Sequence, residues 1–291
     1  MEKSALFRWH PAVSFGYLSA VLTVTMLVMH PGVVMLSLFG GLAVTARQKS
    51  PLGALKALSG AGVLSFFLAA LNLFYNRRGS TPLWTWFGYT VTWEAALYGM
   101  MVGLAFSAAI LWWMTLTRVM TSDRLQALFG RRLPSLCLLM KMVLRFLPRY
   151  RRLLERIAQV QRTISVQRSG FRARWRRSAD VLACATTLAA EDALVTADSM
   201  TARGYGGKPT LIQRYAWDAT SVWAAAVAAA LLGLVIAGLA MGACPTDYFP
   251  TPSLRQGGET WLLPLWGAFC LLPILDDGKE GLRWRILSSR M

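Results

Sequence analysis

Residues 215–243 contain a single charged side chain, Asp218, in an otherwise largely apolar run. A run of that length constrains the chain more than any other feature, because a helix crossing a bilayer needs about 20 mostly apolar residues. Comparable stretches lie at residues 11–29, 32–46, 51–75, 93–117 and 260–275. The second and last are short enough to be tilted, re-entrant or partly buried among neighbours. His30-Pro31-Gly32 marks a tight turn between the first two, since Pro and Gly punctuate helices there. The first stretch is followed by that turn and another span, so it does not read as a cleavable signal. Long apolar runs exclude disorder, and 15% charged residues fall well below the about 25% of a soluble domain. The expected fold class is all-α: a polytopic membrane protein of about six transmembrane helices.

The same chain carries a net charge of +17, and its distribution resolves the contradiction. Residues 118–214 hold 19 Lys and Arg against 6 Asp and Glu, a balance of +13. The preceding part stands at +5 and the following part at −1. Three segments follow: N-terminal transmembrane helices at 1–117, a basic cytoplasmic helical region at 118–214, and C-terminal transmembrane helices with a cytoplasmic tail at 215–291. Lys3, Arg8, Arg47, Lys49, Lys56, Arg283, Arg285 and Arg290 share the side of the basic block if six spans alternate, with Arg77 and Arg78 opposed. The positive-inside rule then puts both termini and the basic block in the cytoplasm.

Within that block, periodicity predicts long amphipathic helices. Pro134 suits a first helical turn, and Leu136, Leu139, Met140, Val143 and Leu147 recur at helical spacing up to Pro148, which should break or kink the helix. A second stripe, Tyr150, Leu153, Leu154, Ile157, Val160 and Ile164, follows. Residues 167–177 read as a polar basic link. Another helix is expected over residues 178–203, with Leu188, Glu191, Val195, Asp198 and Ala202 along one side. Glu191 and Asp198 on that inner stripe read as internal salt-bridge partners for neighbouring arginines. Gly204 should end this helix, as glycine does just past a C-cap.

Chemistry is sparse. Cys137, Cys184, Cys244 and Cys270 are scattered singly, with no metal spacing or disulfide framework. Ala202-Arg203-Gly204-Tyr205-Gly206-Gly207-Lys208-Pro209 is a near miss to a phosphate loop. It lacks the first Gly and the final Ser or Thr, and it closes a helix where a phosphate loop would open one. His10 and His30 bracket the first span about 30 Å apart by helix rise, too far to share a metal, and each precedes a proline, which suits interface anchoring. Glu94 opens the fourth span, where it caps or is solvated. Further carboxylates inside the spans, which would mark a proton or ion path, are lacking.

Specific blocks then match a known family. Asn72-Leu73-Phe74, Gly79, Glu94-Ala95-Ala96-Leu97-Tyr98-Gly99, Val119-Met120-Thr121-Ser122-Asp123, Leu128-Phe129-Gly130-Arg131 and Arg145-Phe146-Leu147-Pro148 resemble the transmembrane T component of energy-coupling factor (ECF) transporters. That family carries an Ala-Arg-Gly motif at the end of each of two cytoplasmic coupling helices. The second copy is kept as Ala202-Arg203-Gly204, after Thr196-Ala197-Asp198-Ser199-Met200. Arg283-Trp284-Arg285 is similar to the family's basic C-terminal tail. The first copy departs: Ile164 and Ser165 stand where Arg and Gly are expected, leaving Arg162 or Arg168 as substitutes. His10-Pro11 is similar to the family's start, without the Lys that often follows.

The resemblance implies a scaffold that hydrolyses nothing and binds no cofactor. Two ABC ATPase subunits, which use the ATP, would dock at Ala202, Arg203, Gly204 and Arg162 or Arg168. Glu191, Asp198 and Arg145 would support the coupling helices. One or more small substrate-binding membrane (S) components, serving vitamin or metal-ion uptake, would pack on the spans. Most other arginines would meet the anionic leaflet of the lipid bilayer. Two rival readings make other predictions. A nucleic-acid-binding domain would show a recognition motif, and none is present, so no nucleic acid is expected. An autonomous secondary transporter would show internal repeats and broken helices, which are not seen.

Overall fold

In the computed structural model, the described residues are 4–48, 51–75, 82–86, 89–130, 132–164, 170–205, 215, 217–241, 246–247, 253–254 and 261–288. In chain order the elements are α1 (Ala5–Arg8), α2 (Pro11–Leu27), α3 (Pro31–Gln48), α4 (Pro51–Tyr75), β1 (Pro82–Trp86), β2 (Tyr89–Thr92), α5 (Trp93–Val119), α6 (Ser122–Phe129), α7 (Pro134–Ile164), α8 (Phe171–Ala202), α9 (Ala219–Ala240), β3 (Thr246–Asp247), β4 (Ser253–Leu254) and α10 (Leu262–Ser288). The chain divides into two compact units. The first joins Met1–Leu125 to Tyr215–Met291, and the second is Gln126–Arg214.

The first unit is a helix bundle centred on α5, which packs against α2, α3 and α4, while α10 packs on α3 and α9. Leu52–Leu73, Trp93–Val119 and Ala219–Ala240 are long and apolar enough to cross a membrane, by length and composition. α2 is apolar but shorter, and α3 and α10 join the bundle through packing. This is the expected helical membrane protein, with two additions. Two short antiparallel hairpins, β1–β2 and β3–β4, interrupt it. α10 also runs 27 residues, well past the apolar segment ending near Leu275, so the basic tail is part of a helix.

Lipid supplies no hydrophobic drive between helices, so close packing and interhelical hydrogen bonds decide the contacts. Gly99 and Gly103, four apart on α5, let α4 approach closely. A Cβ on them would lie 2.9 Å from the Ala69 carbonyl oxygen and 2.7 Å from that of Ser65. One turn further on, Ser107 and Ser65 share a buried hydroxyl–hydroxyl bond of 2.5 Å. Large side chains carry the rest of the core through satisfied polar tips. Trp112 Nε1 donates to the Ser37 carbonyl at 3.0 Å, Trp266 Nε1 to that of Val33 at 3.2 Å, and the Tyr17 hydroxyl to that of Phe269 at 2.9 Å.

The two histidines have a more specific role than interface anchoring. Each caps the helix that its following proline begins. His10 Nδ1 accepts the Ala12 amide at 3.2 Å, and His30 Nδ1 accepts the Gly32 amide at 3.1 Å. The His10 ring also stacks on Trp217, with centroids 4.3 Å apart. Burial lowers both pKa values below the ordinary 6.5, with the charge of Arg124 adding to the effect at His10. Protonation removes the accepting lone pair. The stability from these caps is therefore present above about pH 6.5 and lost as pH falls below it. An N-cap is worth about 1 kcal/mol. The thermal midpoint of purified protein should fall between pH 7.5 and 5.5, and the fall should shrink in a His10→Asn/His30→Asn double variant, whose amide oxygens still accept at low pH. An equal fall in both proteins would remove the histidines as its cause.

The second unit is the helix pair α7–α8 with the end of α6. α7 does not break at Pro148; it runs 31 residues from Pro134 to Ile164. The ring removes the bond to the Leu144 carbonyl, but both residues lie on the exposed side, where solvent or lipid headgroups can satisfy that oxygen. α8 begins at Phe171, seven residues before the expected start, because the boundary is set by Gly170 at φ +144°. Arginine is a good helix former, so the basic stretch after Gly170 continues as helix.

Candidate coupling surface

The end of α8 is built in detail by its sequence. Ala202 is the last helical residue, Arg203 the C-cap with φ −86° and ψ 3°, and Gly204 follows at φ +73°. The Tyr205 amide donates to the Met200 carbonyl at 3.0 Å and the Gly204 amide to that of Thr201 at 3.0 Å. These two bonds define a Schellman closure, which needs the left-handed residue that glycine supplies without steric cost. Ala-Arg-Gly is thus a local structural instruction: it ends the helix and leaves the Arg203 side chain exposed at its tip.

On α7, Arg162 lies exposed in the last turn. Arg168 falls outside the described residues. Arg145 is exposed on α7, and Glu191 and Asp198 are exposed on α8. The acid that pairs is Asp192, whose carboxylate lies 2.9 Å from Arg149 of α7. Glu191 and Asp198 show no ion pair among the described residues, so the expected internal salt bridge is displaced by one position. The half-buried stripe of α8 is Val181, Ala185, Ala189, Asp192, Thr196 and Met200. It is rotated by about 100° from the stripe through Leu188 and Val195, as one residue of helix requires. Those two apolar residues are exposed instead.

The Arg149–Asp192 pair, 64% and 37% exposed, contributes about 0–1 kcal/mol to stability but fixes where the helices meet. From that point Arg162 is about 20 Å along α7 and Arg203 about 16 Å along α8, at 1.5 Å rise per residue. Both arginines therefore lie three to four turns from that ion pair. The N-terminal half of α7 adds an exposed apolar face of Leu136, Met140, Val143 and Leu147, the residues that recur at helical spacing in the sequence. No group of three or more His, Cys, Asp or Glu among the described residues could hold a metal ion.

A protein-family model, CbiQ, described as cobalt transport protein, matches residues 2–213. The chain belongs to this family, the T components of ECF transporters. No curated protein matches it. The match spans α1 to α8 of this T component, including the end of α8 at Ala202, and stops before α9 and α10. The chain is a membrane component of a transporter.

Periodicity and spacing passed over four residues of this T component: Asp192, Arg124, Asp276 and Asp277. The last two directly follow the apolar part of α10, where a charge pair reads as a solvated end. Arg124 reads as one more charge of the basic block. Only long-range geometry separates these from ordinary surface charges.

Proposed function

We propose that this T component is the scaffold and coupling subunit of an ECF-type importer, docking two ATPase subunits on its cytoplasmic helices. The observation that carries this reading is the Schellman-capped Ala202-Arg203-Gly204 tip with its exposed arginine. A guanidinium held at a rigid helix end can enter a groove and make charge-assisted hydrogen bonds of about 1.5–3 kcal/mol each. Arg203 is the principal docking residue, and Arg162 or Arg168 serves the other coupling helix. Asp198 lies exposed about 8 Å along α8 from Arg203, Arg145 and Glu191 lie exposed beside the Arg149–Asp192 pair, and all three support the coupling helices.

ATP is bound and hydrolysed in the partner subunits; the glycine-rich stretch at the end of α8 departs from a phosphate loop at Ala202 and Pro209. Closure of the ATPases moves α7 and α8, and that motion tips a small substrate-binding membrane protein packed on the apolar surfaces. The exposed face of α7 through Leu136, Met140, Val143 and Leu147 suits such a partner. The S component chooses the cargo, a metal ion such as cobalt or a vitamin. Both termini and the α7–α8 unit face the cytoplasm, as the distribution of Lys and Arg favours, and the remaining arginines meet anionic lipid.

The test is a pull-down of the tagged full chain from its native membranes, with every co-purifying protein identified. Two ATPase chains and at least one small apolar membrane protein are expected. Recovery of the chain without any ATPase would overturn the reading.

A further inference from the structure

α1 is one turn long, and so short a helix does not persist alone, since its unpaired end groups outnumber its internal bonds. Distant residues supply both ends. At the N-terminal side, Asp277 Oδ1 accepts the Ala5 amide at 2.5 Å, and Arg8 lies 3.6 Å from the same carboxylate. Asp276 accepts the Trp9 indole N–H at 3.0 Å. At the C-terminal side, Arg124 donates to the carbonyls of Leu6 at 2.9 Å, of Phe7, and of Trp9 at 3.4 Å. Arg124 is only 4% exposed, a burial that a cation tolerates when its donors are paired.

The place of this clamp in the chain gives it significance. Arg124 belongs to α6, and the first unit ends at the very next residue, Leu125. The chain returns to that unit at Tyr215, whose ring centroid lies 5.9 Å from the Arg124 guanidinium carbon. The Phe7 ring is 5.7 Å from the same carbon. One buried cation therefore gathers the exit point, the return point and the N-terminal helix, and the N-terminal helix is fastened to α10 by Asp276 and Asp277.

We propose that Arg124 is a positioning residue for energy coupling, holding the first unit's end at α6 and the chain's return at Tyr215 to α1, which α10 anchors in turn, so that movement of α7–α8 enters the membrane helices. The inference rests on the coupling function above. A lever transmits motion only if its root is stiff, and a planar fork bound to three carbonyls fixes direction as well as distance. Lysine keeps the charge but has no fork, so it cannot hold three acceptors in that arrangement.

The test uses the full chain with its co-purified ATPases in lipid nanodiscs, as wild type, Arg124→Lys and Arg124→Met. Amide exchange is followed with and without ATP plus vanadate, alongside ATP hydrolysis. In the wild type, nucleotide should change exchange in both α7–α8 and α1–α10. In Arg124→Lys the ATPases should still bind and hydrolyse, and the change should persist in α7–α8 but vanish from α1 and α10. Basal exchange in residues 5–9 should also rise about tenfold, as loss of one charge-assisted bond implies. A nucleotide response that still reaches α1 and α10 in Arg124→Lys overturns the proposal. So does a wild type whose membrane helices never respond, or failure of both variants to give a monodisperse complex, which would make the clamp purely structural. A wild-type chain that retains no ATPase overturns the coupling function itself, and this inference with it.

Discussion

Arg203→Glu is expected to abolish co-purification of the ATPase pair while leaving the chain folded. Arg203 is exposed at the end of α8, and its part in folding is limited to a favourable place in the helix dipole, about 0.3–1 kcal/mol. Docking loses more. A charge-assisted bond disappears and a like charge faces the acceptors that it served, so affinity should fall by more than about 100-fold. Arg203→Lys should fall between, because the point charge remains without the fork. Arg152→Glu, at another exposed position of the same unit, should leave assembly unchanged. Gly204→Val provides an independent arm. At φ +73° a β-branched side chain costs about 1–2 kcal/mol, the closure opens, and docking weakens although Arg203 is intact. Normal assembly of the Arg203→Glu chain would remove this residue from the docking site.

The largest effect on stability should come from Trp112→Ala. The indole is fully buried, and Nε1 lies 3.0 Å from the Ser37 carbonyl oxygen and 3.1 Å from its hydroxyl. That hydroxyl also bonds Thr25 at 2.6 Å, so the indole closes a polar chain joining α2, α3 and α5. Gly41 makes room for it: a Cβ there would stand 3.2 Å from Nε1. Truncation leaves a cavity and orphans an acceptor, at a cost of about 3–5 kcal/mol. The midpoint of thermal unfolding in detergent should fall by about 10 °C. Trp112→Phe keeps most of the volume and should lose only the hydrogen-bonding part. Equal losses in the two variants would show that the polar chain, and not the packing, holds this junction.

Much of the molecule is legible without coordinates because hydrocarbon imposes a simple rule. A span must be apolar for about 20 residues, so the helices at 51–75, 93–119 and 219–240 announce themselves. The C-cap at Gly204 is legible for a similar reason: only glycine takes a left-handed turn without strain. Periodicity marks apolar faces whether or not the chain covers them. Leu188, Val195, Leu136 and Val143 follow helical spacing and are nevertheless exposed. The pattern marks an apolar face and says nothing about what covers it. That ambiguity moved the inner stripe of α8 by one residue and put the ion pair on Glu191 instead of Asp192. Pro148 does not break α7, since a helix can lose one backbone bond on its exposed side and continue.

The sequence by itself therefore determined the class of protein, the membrane helices, the segregation of charge into residues 118–214 and the Arg203 tip. Each of these depends on local composition or on a backbone conformation open to one residue type. Tertiary structure alone decided which acid braces α7 against α8, which carbonyls Arg124 binds, and why two aspartates at the end of the last apolar stretch matter to a helix that starts at Ala5. Those contacts join residues from 43 to 272 positions apart. A charge at the edge of an apolar run looks the same whether it meets water or the far end of the chain, and only the packed bundle tells the two apart.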